Sequence, residues 1–130
     1  MQNLLIAASP NTPEIDFRFD QHLLSLQGES YPENAAAFYG PVLEALRGYL
    51  ARTEDRPLTV NVSLSYFNSS STKMLFTLFG VLDQAARDGR RITLNWFHEE
   101  EDDTIFEFGQ ELEEDFQALD FHDHPVRHRP

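Results

Sequence analysis

Between Leu58 and Leu82 the spacing of apolar side chains changes period with no loop in between. Leu58, Val60, Val62 and Leu64 alternate with Thr59, Asn61, Ser63 and Ser65, the period-two pattern of a strand buried on one face. Met74, Leu75, Leu78, Phe79 and Leu82 then fall on one stripe of a helix. The junction, Tyr66-Phe67-Asn68-Ser69-Ser70-Ser71-Thr72-Lys73, therefore sets four consecutive hydroxyl residues at a helix N-terminus. Orphan backbone N–H groups and the positive end of the helix dipole gather there and favour an added anion. A hydroxyl in that place is a helix cap, a phosphoryl acceptor, or both, and a single one suffices for capping.

The rest of the chain organises around this unit. Ile15, Phe17 and Phe19 alternate along one predicted strand and Leu24 and Leu26 along the next, with Asp20-Gln21-His22 as the turn between them. Pro32-Glu33-Asn34 opens a helix whose buried stripe is Phe38, Val42, Ala45, Leu46 and Tyr49. Gly40-Pro41 interrupts that helix, and because an interior proline removes an N–H and clashes one turn back, a kink or a helix in two pieces is expected. A third strand spans about 57–66 and a second helix about 70–88, closed by Asp88-Gly89. Ile92, Leu94 and Trp96 mark a fourth strand. Ile105, Phe106, Phe108, Leu112 and Phe116, set among acidic residues, mark a third helix.

Strands three and four, joined by a helix, should be parallel with a right-handed crossover, whereas the first two form a hairpin. The expected architecture is one α/β domain over residues 1–130. Its mixed sheet has about four to five strands in the order β-β-α-β-α-β-α, with helices mainly on one face. Residues 1–11 read as a loosely held arm, and the tail from 121 to 130 as frayed.

At 130 residues the chain is long enough to bury roughly two-thirds of the surface that its unfolded form exposes. Eleven Phe within an apolar fraction of 41% supply a core, which excludes global disorder. No run approaches the ~18 apolar residues of a membrane span, and no secretory leader is evident, so a cytoplasmic protein is expected. The absence of cysteine removes disulfides, thiol catalysis and cysteine zinc sites. Of 22 acidic residues, 12 lie between Glu99 and Asp123, where there is no Lys or Arg; elsewhere the signs balance at 10 each. That acidity argues against nucleic-acid and anionic-membrane partners, which require clustered positive charge. It fits a solvated helix face or a surface that docks on a basic protein.

Catalytic and metal signals are thin. Three of the five His residues lie in the tail, His22 sits in a turn, and no Gly-x-Ser-x-Gly elbow surrounds Ser69. No phosphate-cradling glycine loop is present. His122-Asp123-His124 reads as a polar tail rather than a metal site, and Glu99 to Asp103 lacks the spacing of a Ca²⁺ loop. No catalytic residue, metal or cofactor is expected, and the chain is not read as an enzyme.

Three segments carry a resemblance. Gly28-Glu29-Ser30-Tyr31-Pro32-Glu33-Asn34, then Tyr66 to Lys73, then Ile92-Thr93-Leu94-Asn95-Trp96 are similar, in order and spacing, to the SiaC family of bacterial regulatory phosphoproteins. The similarity runs from about Thr12 to Phe116, and Gly40-Pro41 departs from the family pattern. It implies a small STAS-like domain that works by partner switching in the control of biofilm formation and cyclic di-GMP signalling. In such proteins the phosphorylated residue directly follows the Asn, which places it at Ser69, with Ser70 and Ser71 as alternatives. The resemblance implies three partners: a diguanylate cyclase that the unphosphorylated protein binds and activates, a serine/threonine kinase, and a metal-dependent serine/threonine phosphatase. Tyr31, Pro32, Glu33, Asn34, Asn68, Ser70 and Lys73 are the expected partner-binding residues. Lys73, the one lysine of the chain, stands four residues after Ser69, where it either pairs with a phosphate or is simply solvated. The alternative function is a constitutive STAS-like scaffold whose serine cluster does no more than cap its helix.

Overall fold

The computed structural model describes residues 2–52 and 55–127. Six strands form one sheet: β1 (Leu4–Ile6), β2 (Glu14–Arg18), β3 (Leu23–Ser30), β4 (Leu58–Phe67), β5 (Ile92–Glu99) and β6 (Asp120–Val126). Three helices join the last four strands: α1 (Ala35–Leu50), α2 (Ser69–Arg87) and α3 (Asp103–Asp115). Strands lie side by side in sequence order; β1, β2 and β3 pair antiparallel, and β3 to β6 pair parallel. All three βαβ crossovers step in the same direction along the sheet. Right-handed connections therefore bring every helix to the same face.

Burial follows from that topology. Leu24, Leu26, Val60, Val62, Leu94 and Trp96 point to the helix side and are essentially inaccessible. Their neighbours Asn61, Ser63, Thr93 and Asn95 point to the open face, where Asn95 Nδ2 donates to Asn61 Oδ1 at 2.9 Å. Under the helices, Trp96 lies stacked on Phe108 and edge-on to Phe79, and its Nε1 donates to the Ile105 carbonyl at 2.9 Å. Gly109 exists for this contact, since a Cβ there would come within 2.6 Å of Trp96 Cδ1. Asp83, also buried, accepts from Arg87 Nε at 2.7 Å and from the Ala118 N–H at 3.0 Å, tying α2 to the loop before β6.

The expected α/β class and mixed sheet are observed, with a strand added at each end. The arm expected to be loose contains β1, which pairs Leu4, Leu5 and Ile6 with Phe17, Asp16 and Ile15. The tail expected to be frayed contains β6, paired along β5 from Thr93↔Asp120 to Glu99↔Val126. Met1 and His128 to Pro130 lie outside the described residues. Backbone pairing, which needs no apolar periodicity, accounts for both strands, and Pro125 is tolerated because β6 is an edge. Of the kink or division expected at Gly40-Pro41, the division does not occur: α1 is one helix with Pro41 inside it. Pro41 and Ala37, whose carbonyl loses its usual donor, both lie on the exposed side, so the missing bond falls on the solvent side of the helix and not in the core. The buried stripe of α1 is carried by Tyr39 and Leu43 with Val42, Leu46 and Tyr49, while Phe38 and Ala45 are half-buried. The hairpin turn is a single 3₁₀ turn, Phe19–Gln21, followed by His22 in the left-handed region.

Candidate functional site

The β4–α2 junction sits at the C-terminal end of two central parallel strands, held there by the Asn68 N–H, which donates to the Ser30 carbonyl at the end of β3 at 3.0 Å. Asn68 is extended (φ −87°, ψ 176°) and caps α2, its Oδ1 accepting from the Ser71 N–H at 2.9 Å. Thr72 turns its hydroxyl back to the Asn68 carbonyl at 3.1 Å. The capping position is thus filled by an asparagine, and the serines are not needed for it.

The three serines then divide. Ser71 is fully buried, and its Oγ accepts from Ser30 Oγ at 2.8 Å, which in turn lies 2.6 Å from the Tyr39 hydroxyl. This chain of hydroxyls locks β3, α1 and the first turn of α2 together. Burial pushes the Tyr39 phenol up, against the opposing pull of its bond to Ser30, so it stays a neutral hydroxyl. Ser69 and Ser70 are exposed, and neither hydroxyl has a protein hydrogen-bond partner among the described residues. An enzyme acting on the folded protein can reach these two; it cannot reach Ser71 without opening the helix.

A β-bulge shapes the surface beside them. Gly28 pairs with Leu64 and Glu29 with Tyr66, so Ser65 is the extra residue on β4, and Gly28 takes a φ of +122° that favours glycine. Past the bulge the alternation is reversed. Phe67 turns inward onto Phe108, and Tyr66 is turned outward, 50% exposed. Tyr31, 39% exposed just past the end of β3, meets it edge-to-face with ring centroids 5.8 Å apart.

Of the residues expected at a partner surface, the fold brings Tyr31, Asn68, Ser69 and Ser70 to this end of the sheet. Lys73 is exposed one turn into α2 and makes no ion pair among the described residues. Glu33 is exposed, Pro32 is buried, and Asn34 caps α1 by accepting from the Ala37 N–H at 3.0 Å, which gives the last two structural tasks. Tyr66 was not among the expected residues. Its signal in the sequence is a second aromatic next to Phe67 at the end of a strand that alternates strictly until then.

His122-Asp123-His124 is part of β6, so successive side chains leave opposite faces. His124 donates to Asn95 on the open face, and Asp123 bonds to His98 on the other. Among the described residues no group of three His, Asp or Glu side chains converges as metal ligands. Nearly buried His98 has both ring nitrogens against acceptors, the Glu99 carbonyl at 2.8 Å and Asp123 at 2.9 Å. Burial alone would lower its pKa. The two hydrogen bonds and the charges of Asp123 and Asp102 outweigh it, and the pKa is raised.

One sheet, covered by helices on a single face and carrying accessible serines at a helix N-terminus, defines a small α/β domain with exposed hydroxyls at one end of its sheet. The chain belongs to the SiaC family of regulatory phosphoproteins, whose family model matches residues 6–126. A protein of Pseudomonas aeruginosa (strain UCBPP-PA14) is 32% identical over 126 residues, covering 95% of this chain and 99% of that one. The crystal structure of apo-SiaC from Pseudomonas aeruginosa superposes with a TM-score of 0.88 at 31% identity, again covering 95% of this chain and 99% of the other. A chain in the crystal structure of the diguanylate cyclase SiaD in complex with its activator SiaC, from the same organism, matches equally well, with a TM-score of 0.88 at 31% identity over 95% and 99% of the two chains. No helix among the described residues is long and apolar enough to cross a membrane.

Proposed function

We propose that this protein is a phosphorylation-gated switch without catalysis of its own. Unphosphorylated, it binds and activates a diguanylate cyclase; a dedicated serine/threonine kinase phosphorylates Ser69 and blocks that binding, and a metal-dependent phosphatase restores it. The observation that carries the reading is the division of labour at the junction. Asn68 takes the cap, Ser71 is buried, and Ser69 and Ser70 are left exposed without a structural task; of these two, Ser69 directly follows the Asn, the acceptor position that the family resemblance implies. The likeness to a SiaC that is a cyclase activator supplies the partner class.

The chemistry needs little motion. A phosphoryl group adds about −1.5 to −2 charge and three acceptor oxygens. At Ser69 these oxygens meet the orphan N–H groups of the first turn, with Lys73 one turn on, so the folded protein accommodates the group. A partner surface shaped for a neutral hydroxyl does not. A loss of about 3 kcal/mol at that contact weakens binding more than a hundredfold.

The test is to phosphorylate the purified protein with its cognate kinase, map the site by fragment mass, and titrate the cyclase before and after phosphatase treatment. One phosphoryl group on Ser69, and strong cyclase binding by the unphosphorylated form alone, are expected. A phosphate mapped to Ser70 would reassign the acceptor. Equal cyclase affinities for the two forms would leave only a constitutive scaffold.

A further inference from the structure

Tyr31 and Tyr66 are two of the four large apolar side chains that are substantially exposed among the described residues, and they touch each other. A strand that alternates from Leu58 to Leu64 would, continued without interruption, have pointed Tyr66 into the helix layer. The extra residue Ser65 prevents this, with its Oγ against the Gly28 carbonyl at 3.5 Å and with Gly28 in a backbone conformation other residues rarely adopt. The bulge thus has two products: half-buried Phe67 packs against the core, and Tyr66 stands in water beside Tyr31. Burying both tyrosines would remove far more apolar surface than leaving them out, so their exposure has a cost that the fold itself does not recover.

From this geometry we infer that the Tyr31–Tyr66 pair is the aromatic anchor of the cyclase-binding surface, aimed by the bulge at Ser65 into an apolar pocket of the cyclase. The inference rests on the switch reading above. Three features point to that occupant. The pair is continuous with the switch residue, since Tyr66 is three residues before Ser69 and the Asn68 N–H ties the junction to Ser30, the neighbour of Tyr31. Tyrosines offer a rigid apolar body with a hydroxyl at the tip, the composition of interface hot spots. Asn68, Ser69 and Ser70 follow Tyr66 and Phe67 directly in the chain and carry no charge, so a partner seated on the rings, between them and the exposed carboxylates of Glu29 and Glu33, also covers Ser69. A phosphoryl group there would be forced out of water at the rim of an apolar contact. This gives the switch its physical lever, as the anchor supplies affinity and the serine beside it vetoes docking.

Tyr66→Ser, Tyr31→Ser and Tyr66→Phe separate the possibilities, with calorimetric titration of the cyclase, intact mass after kinase treatment, thermal unfolding and sedimentation as readouts. Either serine variant should bind the cyclase at least about tenfold more weakly than the parent. Both should melt within a few degrees of the parent and accept one phosphoryl group as readily. Tyr66→Phe should stay within about threefold of the parent, since the ring is retained. Undiminished cyclase binding by both serine variants, beside weakened binding by phosphorylated parent, overturns the anchor and leaves the switch standing. A change in self-association without a change in cyclase affinity assigns the pair to a contact between copies and overturns it too. Failure of the unmodified parent to bind the cyclase overturns the switch reading and, with it, this inference.

Discussion

Asn68 and its four followers show how one residue sets the roles of its neighbours. Because the amide accepts the Ser71 N–H, the cap is complete before any serine hydroxyl is used. Asn68→Ala should therefore cost about 1 kcal/mol in denaturant melts, the usual loss for a removed cap. Ser69→Ala and Ser70→Ala should stay within about 0.5 kcal/mol of the parent, as surface changes that touch nothing. Ser71→Ala should behave differently from both. It removes the hydroxyl that accepts from Ser30 inside a buried network, and an orphaned donor there costs about 1–3 kcal/mol. A melt series in which Ser69→Ala or Ser70→Ala costs as much as Asn68→Ala would return the capping role to the serines. The sequence shows the cluster but not this partition, because side-chain burial and the chain of hydroxyls through Ser30 and Tyr39 depend on contacts 9 and 41 residues apart.

At the scale of elements, α3 and β6 are fitted to β5 by two devices with opposite demands. Gly109 leaves no room over Trp96, so Gly109→Ala should destabilise by about 1–3 kcal/mol through overpacking, although alanine is the better helix former. Gly80→Ala is the internal control. Its Cβ would sit 3.6 Å from Phe116 Cε1 in ordinary contact, so it should gain up to about 1 kcal/mol. Urea melts of the two variants with the same sign would refute the packing account. His98 supplies the second device, with both ring nitrogens facing acceptors, the Glu99 carbonyl and Asp123, an arrangement that suits the imidazolium. Its pKa is raised on folding, so its contribution is fully present below the unfolded value of about 6.5 and is lost as pH rises through the folded value. The stability advantage of the parent over His98→Gln should accordingly be larger at about pH 5.5 than at about pH 8.5, and an advantage that grows with pH would reverse the assignment. The elements most legible in the sequence are those with a buried stripe: β2 to β5 and the three helices. β1 is too short for any period to show, and β6 carries one Phe, Phe121, among Asp, His and Pro side chains before Val126. Both edges rest on backbone pairing, to which apolar spacing is blind. The unbroken α1 escaped for a related reason, since propensity rules price a proline in isolation and not on a solvent-facing turn.

For the whole molecule, the helices are confined to one face and the acidic excess to the C-terminal quarter, while Tyr31, Tyr66 and Ser69 share the β3 and β4 ends with the exposed carboxylates of Glu29 and Glu33. A negative charge introduced there acts on two equilibria that can be measured separately. In folding, a carboxylate at the first residue of α2 faces the positive end of the dipole and free N–H groups, so Ser69→Asp should leave stability unchanged or raise it by about 0.3–1 kcal/mol at low salt. In binding, the same carboxylate must give up water where a partner expects a neutral hydroxyl, and the favourable helix field is already present in the free protein, so it returns nothing on docking. The two effects therefore have opposite signs in one variant. We expect a protein that melts at or above the parent midpoint and binds the cyclase at least about tenfold more weakly. A single carboxylate carries less charge and fewer acceptor oxygens than phosphate, so phosphorylated parent should be weaker still. Added salt discriminates the cause: screening of exposed charge would erase the stability gain, whereas a loss dominated by desolvation persists. Parent-like affinity in both the Asp variant and the phosphorylated protein, at unchanged stability, would mean that charge at this helix end does not gate the partner at all.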